Sequence, residues 1–454
     1  MTSLDSFWVR EGNVALLTDF YELTMLEAYV EEGLGDEAVF SLYVRRLPRQ
    51  RNYLLACGLG EILHYLENLR FTRESIDYVR SLGRFSDGFL SWLETFRFEG
   101  DVHAVPEGTP VFANEPILEV VAPLPQAQLV ETFLLNQIHF QTLVASKATR
   151  VLNAAGGRSV VDFGLRRVHG ADAGIKAARA FYIAGVEATS NVLAGQIYGI
   201  PLSGTMAHSY IQAHDDELDA FRAFTRVHPS TVLLVDTYDT LDGVRKVVDL
   251  ARELGPDFKV RAIRLDSGNL VELAFQARSI LDEAGLGRVG IFASGGLDEK
   301  KISDIIKRKA PITGFGVGTN MSVSRDVPAL DVSYKLTAYA GRDRLKLSAG
   351  KRILPGRKQI FRVEEGGHAV RDILAGCDEK QPGRPLLQLV MARGRRLEAG
   401  RVDIHSARER AARELSLLPG PIRSLAPAVP PYAVQVSPSL ANRQRQLAAQ
   451  VVEP

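Results

Sequence analysis

Between residues 158 and 318 the chain repeats one pattern: a short apolar run, a polar or glycine-rich stop, then a stretch with helical periodicity. Strands are expected at RSVVDFG (158–164), IPLSGTM (200–206), STVLLVDT (230–237), KVRAIRLDSG (259–268), RVGIFASGG (288–296) and PITGFGVG (311–318). Amphipathic helical stretches such as LDGVRKVVDLARELG and NLVELAFQARSILDEAG lie between several of them. Apolar strands alternating with helices predict a parallel sheet covered on its outer side, and six units in succession favour a barrel over an open sheet. Upstream, 17–33 has a helical face ending at Gly33, 37–48 alternates as a strand, 101–123 is broken into β segments by Pro and Gly, and 126–154 is helical. Downstream of 330 the pattern changes. A basic, β-like stretch (331–363) precedes the helical VDIHSARERAARELSLLPG, a Pro-rich arm (GPIRSLAPAVPP) and a last helix opening at Ser437 with Pro438 in its first turn.

Composition narrows the class. The 454 residues are 46% hydrophobic and 24% charged, with a net charge of +1. That allows a large core and gives no electrostatic case for nucleic acid or an anionic membrane. No run approaches the ~20 apolar residues of a membrane helix. The opening MTSLDSFWVREGN lacks the basic-then-apolar order of a secretory signal. Cys57 and Cys377 are too few for a disulfide framework or a cysteine zinc site, so a cytoplasmic enzyme is expected. The expected organisation is an N-terminal α+β segment (1–125), an α/β barrel (126–330) and a C-terminal segment (331–454) that packs with the first.

Each expected strand ends in a motif rich in polar residues or glycine: DFGLR, GTMAHS, DTYDT, RLDSGN, ASGGLDE and GFGVGTN. Barrel topology gathers such ends on one face. Taken singly, each motif is equally well read as a turn or a helix N-cap, and Asp239 before TLDGVRKV is read as a cap. Taken together they describe a site. Gly316 and Gly318, with Gly295 and Gly296, suit the close approach of backbone amides to phosphate oxygens. No Walker loop and no G-x-G-x-x-G dinucleotide motif is present. Arg166, Arg167, His169 and Arg264 supply cations for a carboxylate or phosphate. Asp236, Asp239 and Asp266 could orient a histidine, bind ribose hydroxyls or hold Mg²⁺ through water. His208 follows the small SGT turn at the same face, where an imidazole serves as base, ligand or phosphoryl acceptor. His214, six residues on, is poorly spaced to join it on a metal.

The ordered set LLTDFYELTM (16–25), FSLYVRRLP (40–48), NQIHFQTLVASKATR (136–150), VDFGLRRVHGADAG (161–174), GTMAHSYIQAH (204–214), VDTYDT (235–240), RLDSGN (264–269), FASGGLDE (292–299) and GFGVGTNM (314–321) resembles the nicotinate phosphoribosyltransferases over most of the chain. KLSAGKRILPGRKQIFR resembles the C-terminal region of bacterial members. The resemblance implies a type II phosphoribosyltransferase fold, an irregular α/β barrel with a second α+β domain built from both chain ends, in a head-to-tail homodimer with shared active sites. It implies ATP-coupled transfer of phosphoribosyl from phosphoribosyl pyrophosphate to nicotinate, with Mg²⁺ accompanying the phosphates and no metal ligand directly assigned. By the same resemblance His208 is the histidine that ATP phosphorylates, and Asp236 is expected to orient its ring. Phe163 stacks on the pyridine ring, with Tyr21 closing the sandwich from the neighbouring subunit. Arg166 and Arg264 take the nicotinate carboxylate or the pyrophosphate, without a division between them. Ser203, Gly204 and Thr205, with Ser209, line the base and substrate pocket. Gly295, Gly296, Gly316, Gly318 and Thr319 cradle the 5′-phosphate, and Asp266 contacts ribose or Mg²⁺.

One departure stands out. The family often has an acidic residue where this chain has Asn269, which puts metal contact there in question. The competing expectations are a nicotinamide or quinolinate phosphoribosyltransferase of the same fold, and a barrel that binds NAD precursors without turnover.

Overall fold

A computed structural model describes residues 9–347, 353–401 and 403–452. The middle of KLSAGKRILPGRKQIFR, residues 348–352, and the first eight residues of the opening segment lie outside the described residues. The chain divides into two compact units, Val144–Pro328 and the pair of segments Met1–Leu143 and Ala329–Pro454.

The Val144–Pro328 unit is built on a six-stranded sheet in the order Ala188–Thr189, Ser159–Asp162, Gly314–Val317, Gly290–Ala293, Ala262–Leu265, Val232–Leu234. Every pairing is parallel, so all strand C-termini share one edge. Five of these strands fall inside the expected apolar runs, and the sheet curls as an irregular barrel wall. The expected strand at 200–206 is not there. Leu202 makes a single bridge to Thr189, and the short strand Ala188–Thr189 takes the sheet position instead. Pro201 has no N–H to give to a ladder, which limits extended pairing at this point. The chain is then free to turn at Ser203–Gly204.

Helices Thr240–Leu254 and Leu270–Glu283 start where the sequence puts good caps. The Asp239 carboxylate accepts from the Asp242 amide at 2.8 Å, as expected. Asn269 caps its own helix, accepting from the Glu272 amide at 3.4 Å. Its oxygen is therefore engaged with the helix start.

The other unit holds a seven-stranded sheet in the order Arg342–Asp343, Val332–Tyr339, Glu37–Val44, Pro116–Pro123, Asp101–Ala104, Gln388–Ala392, Arg395–Arg396. A four-stranded sheet carries Arg384–Pro385, Lys358–Glu365, His368–Gly376 and Ala433–Val436. Glu37–Val44 was expected to show one polar face, yet every residue after Glu37 is buried. Its buried polar residue, Ser41, donates to Glu119 at 2.7 Å, and Lys358 pairs with the same carboxylate at 3.1 Å. A buried charge needs such partners. Helices Phe20–Glu31, Ile404–Leu417 and Pro438–Val452 match expectation, and the Ser437 hydroxyl accepts from Leu440 N at 3.1 Å. Asn52 straps down the Pro-rich arm. Asn52 Nδ2 donates to the carbonyls of Pro421, Ser424 and Ala426, and Asn52 Oδ1 accepts from Ala428 N at 2.9 Å. Both cysteines are free thiols, and among the described residues no helix is long and apolar enough to cross a membrane.

Candidate active site

At the C-terminal edge of the parallel sheet lies a cavity of about 620 Å³. It is lined from successive strand ends by Phe163, Arg166, Gly204, Thr205, His208, Ser209, Arg264, Asp266, Gly295, Gly296, Gly316, Gly318 and Thr319. These expected residues are spread over more than 150 positions, and the parallel topology collects them. Three guanidinium groups face the cavity, those of Arg166, Arg167 and Arg264, against the one carboxylate of Asp266. The field therefore favours an anionic ligand.

Phe163 is fixed from beneath and from behind. Gly316 runs under its ring, and a Cβ there would stand 2.5 Å from two ring carbons. Behind it, Asp162 accepts from the Gly164 amide at 2.8 Å and from the Thr189 hydroxyl at 2.8 Å. Burial pushes the Asp162 carboxyl up to about 6, and these two hydrogen bonds act the other way. The Arg264 guanidinium carbon lies 5.9 Å from the centre of the Phe163 ring. An aromatic face with a cation beside it suits a flat anionic ring.

The opposite end is built from glycines and hydroxyls. Gly295 has φ +86°, and a Cβ would meet Asp266 O at 1.7 Å, so no other residue fits without moving the backbone. Gly318 leads into the short helix Thr319–Ser322, and Arg167 donates to the Thr319 hydroxyl at 3.3 Å. Ser294 Oγ donates to Asp266 Oδ1 at 2.5 Å and holds that carboxylate at the cavity wall.

His208 begins the helix His208–Gln212, and its Nδ1 lies 3.1 Å from the Thr237 hydroxyl. The expectation that Asp236 orients the ring is not met. Asp236 Oδ2 instead accepts from Asp266 N at 2.8 Å and Ser267 Oγ at 2.7 Å, while its Oδ1 is buried without a partner. The physical reason is competition: an amide and a hydroxyl on the adjacent strand end claim the carboxylate, and the neighbouring Thr237 meets the imidazole. Ser203 is likewise outside the cavity lining. Its amide donates to Thr189 O at 3.0 Å, which turns the chain, and Ser190 lines the wall instead.

Burial is the largest influence on Arg264 and lowers its affinity for the proton; Asp266 and Asp236 oppose that, and Arg166 adds to it. Its Nη2 donates to Met206 O at 2.8 Å, and its Nε is buried without a partner. Tyr21 belongs to the other unit, on Phe20–Glu31, with nearly half of its surface exposed. Burial, then its hydrogen bond to Glu22, pushes its phenol up.

Sequence reasoning missed Asp162, Ser190, Thr237 and Ser294. Asp162 carried a legible signal, a charge closing an apolar strand. The other three are small hydroxyl residues whose partners are set only by the fold. Among the described residues no group of three or more His, Cys, Asp or Glu side chains could hold a metal ion.

Comparison with known proteins bears on this geometry. Residues 16–139 match the nicotinate phosphoribosyltransferase N-terminal domain, and residues 158–358 match the nicotinate phosphoribosyltransferase family. The chain is 51% identical over 439 residues to nicotinate phosphoribosyltransferase pncB2 of Mycobacterium tuberculosis, covering 97% of this chain and 95% of that protein. It is 40% identical over 381 residues to the nicotinate phosphoribosyltransferase of Bacillus subtilis, covering 82% and 78% of the two chains. The crystal structure of human nicotinic acid phosphoribosyltransferase superposes with a TM-score of 0.84 at 27% identity, covering 95% of this chain and 99% of that one.

Proposed function

Because the chain belongs to the nicotinate phosphoribosyltransferase family, we infer that it is an enzyme of NAD synthesis that joins nicotinate to the phosphoribosyl group of phosphoribosyl pyrophosphate. The observation that carries this reading is the two-ended cavity, with Phe163 and Arg264 at one end and the glycines around Asp266 at the other. The pyridine nitrogen would attack C1′ of the ribose, and the bond to pyrophosphate would break with its electron pair leaving on the pyrophosphate. The nicotinate carboxylate takes no part in bond making, so it is free to anchor on a guanidinium. Phe163 would stack on the ring, and Tyr21 of a second subunit would cover it in a cytoplasmic homodimer.

The finer part of the proposal is ATP coupling through phosphorylation of His208. The Thr237 hydroxyl on Nδ1 leaves Nε2 as the ring nitrogen to take the γ-phosphoryl group, with ADP departing on the broken P–O bond. A phosphohistidine adds negative charge and acceptor oxygens at the pyrophosphate end, and its hydrolysis would drive the transfer forward.

Mg²⁺ fits this site as an ion carried on substrate phosphates. Asp266 is the carboxylate that lines the cavity, and a hydrated Mg²⁺ asks for one or two carboxylates rather than a protein-built cage. Bound there, it would offset charge on the pyrophosphate.

The test is product formation from phosphoribosyl pyrophosphate and Mg²⁺ with nicotinate, nicotinamide or quinolinate, each with and without ATP. Losing one partner of a desolvated carboxylate–Arg pair costs roughly 2–5 kcal/mol. At about 1.4 kcal/mol per tenfold, nicotinamide should be used about 30- to 3,000-fold less well. Comparable use of nicotinamide or quinolinate would move the chain to a sister activity, and no product from any base would leave a binding protein.

A further inference from the structure

Two glycine loops meet at the cavity wall, one around Gly295–Leu297 and one around Gly316–Thr319. They leave adjacent strands, and the pairing between those strands ends at Ala293 and Phe315. Beyond that point Asn320 joins them. Its side chain is buried behind Thr319, and its Nδ2 donates to Gly296 O at 3.1 Å and to Leu297 O at 3.0 Å. Lys301 Nζ adds a donor to Gly296 O at 2.9 Å. Deeper in the wall the same two segments are tied again, where the buried Lys147 pairs with Glu299 and, at 2.8 Å, with Asp326.

The amide of Asn320 has two N–H groups to give, one for each carbonyl. A trans peptide points its C=O and the following N–H in opposite directions. With the carbonyls of Gly296 and Leu297 drawn back to Asn320, the N–H groups of Leu297 and Asp298 are turned away from it. Among the described residues nothing accepts from either of them, nor from the amides of Gly295 and Gly296. Gly295, Gly296 and Leu297 all line the cavity. A run of free amides on a cavity wall is a concavity suited to anionic oxygens.

We propose that Asn320 is a positioning residue for phosphoribosyl pyrophosphate: by pinning two carbonyls it presents the amides of 295–298 to the 5′-phosphate and joins the two glycine loops into one cradle. This rests on the reading of the glycine end as the seat of that phosphate. Asn320 stands behind the wall and does not touch the substrate. Its loss should therefore loosen the hold on the 5′-phosphate and leave the base end as it is.

Asn320→Ala removes the donor, and Asn320→Leu removes it while keeping the volume; either decides the matter if the other does not fold. The KM of each substrate is measured, with inhibition by ribose 5-phosphate and by pyrophosphate in competition with phosphoribosyl pyrophosphate. The KM for phosphoribosyl pyrophosphate and the inhibition constant of ribose 5-phosphate should both rise by about tenfold or more, as the loss of a hydrogen bond to a charged group would give. The KM for nicotinate and the inhibition constant of pyrophosphate should stay nearly unchanged. Thr319→Val, which alters the cradle directly, keeps the positioning role apart from the reading beneath it. If Thr319→Val weakens ribose 5-phosphate and the Asn320 variants do not, the positioning role falls and the phosphate end stands. If none of the three variants weakens ribose 5-phosphate, both fall. Equal weakening of ribose 5-phosphate, pyrophosphate and nicotinate in the Asn320 variants overturns the positioning role too, because a general loosening of the wall would act on all three.

Discussion

Asp236 holds Asp266 by its main chain: the Asp236 carboxylate accepts from the Asp266 amide at 2.8 Å and from the adjoining Ser267 hydroxyl at 2.7 Å. Two neighbouring strand ends are thereby locked at one height, with the Asp266 side chain left to face the cavity. Hydrogen bonds to a charged group contribute roughly 1.5–3 kcal/mol each. Asp236→Ala should lower kcat/KM for phosphoribosyl pyrophosphate by about tenfold or more, while His208 still takes label from ATP. Steady-state kinetics beside the labelling assay check this. Loss of labelling with intact transfer would restore Asp236 as the partner of His208.

His208→Asn should abolish ATP hydrolysis and phosphoenzyme formation and leave a slow transfer that ATP does not accelerate. Nucleotide release and product are measured in the same reaction. ATP consumption in step with product in this variant would remove His208 from the phosphoryl path.

Gly316→Ala should act mainly on the base. The new methyl group stands 2.5 Å from two carbons of the Phe163 ring and must displace it. Such overpacking typically costs about 1–3 kcal/mol. The KM for nicotinate should rise by about five- to a hundredfold, with that for phosphoribosyl pyrophosphate little changed. An equal rise in both constants would mean that Phe163 does not serve the base.

Asp162 makes stability depend on pH. Its buried carboxyl titrates at about 6 in the fold, against 3.8 for the free group. The folded chain therefore holds this proton more tightly than the unfolded one. The contribution, roughly 3 kcal/mol, is fully present below about 3.8 and is lost as pH rises through 6. Asp162→Asn should flatten the fall in stability between pH 4 and 6 relative to the wild type, measured as urea midpoints at fixed ionic strength. Identical slopes would show that Asp162 titrates normally.

Much of the barrel was legible because its signals are strong and local. Runs such as STVLLVDT and RVGIFASGG pair an apolar strand with a polar end, and parallel topology does the rest. IPLSGTM carried the same apolar signal and failed, because Pro201 limits pairing and Ser203 is spent on the turn. The glycines at 295 and 316 were read as approaches to phosphate oxygens, and what stands close to them in the fold is the Asp266 carbonyl in one case and the Phe163 ring in the other. Who holds whom was not legible. Asp236 and Thr237 are adjacent, and nothing in their order says which of them meets the imidazole. The burial of Glu37–Val44 on both faces was hidden for a similar reason, since Ser41 looks like a surface residue until Glu119 is known to stand beside it.

The assembly of the discontinuous unit from distant segments sets an order for its birth. Thr337 donates to Val39 O across 298 positions, and Asn52 grips the arm at 421–428. Val144–Pro328 draws on one continuous segment, so it can begin folding as soon as it clears the ribosome. Strand Glu37–Val44 must wait for its neighbour until Val332–Tyr339 is made. Tyr339 follows Val44 by 295 residues, which at 5–20 residues per second takes roughly 15–59 s. For that interval the apolar edge of Glu37–Val44 has no strand beside it on that side.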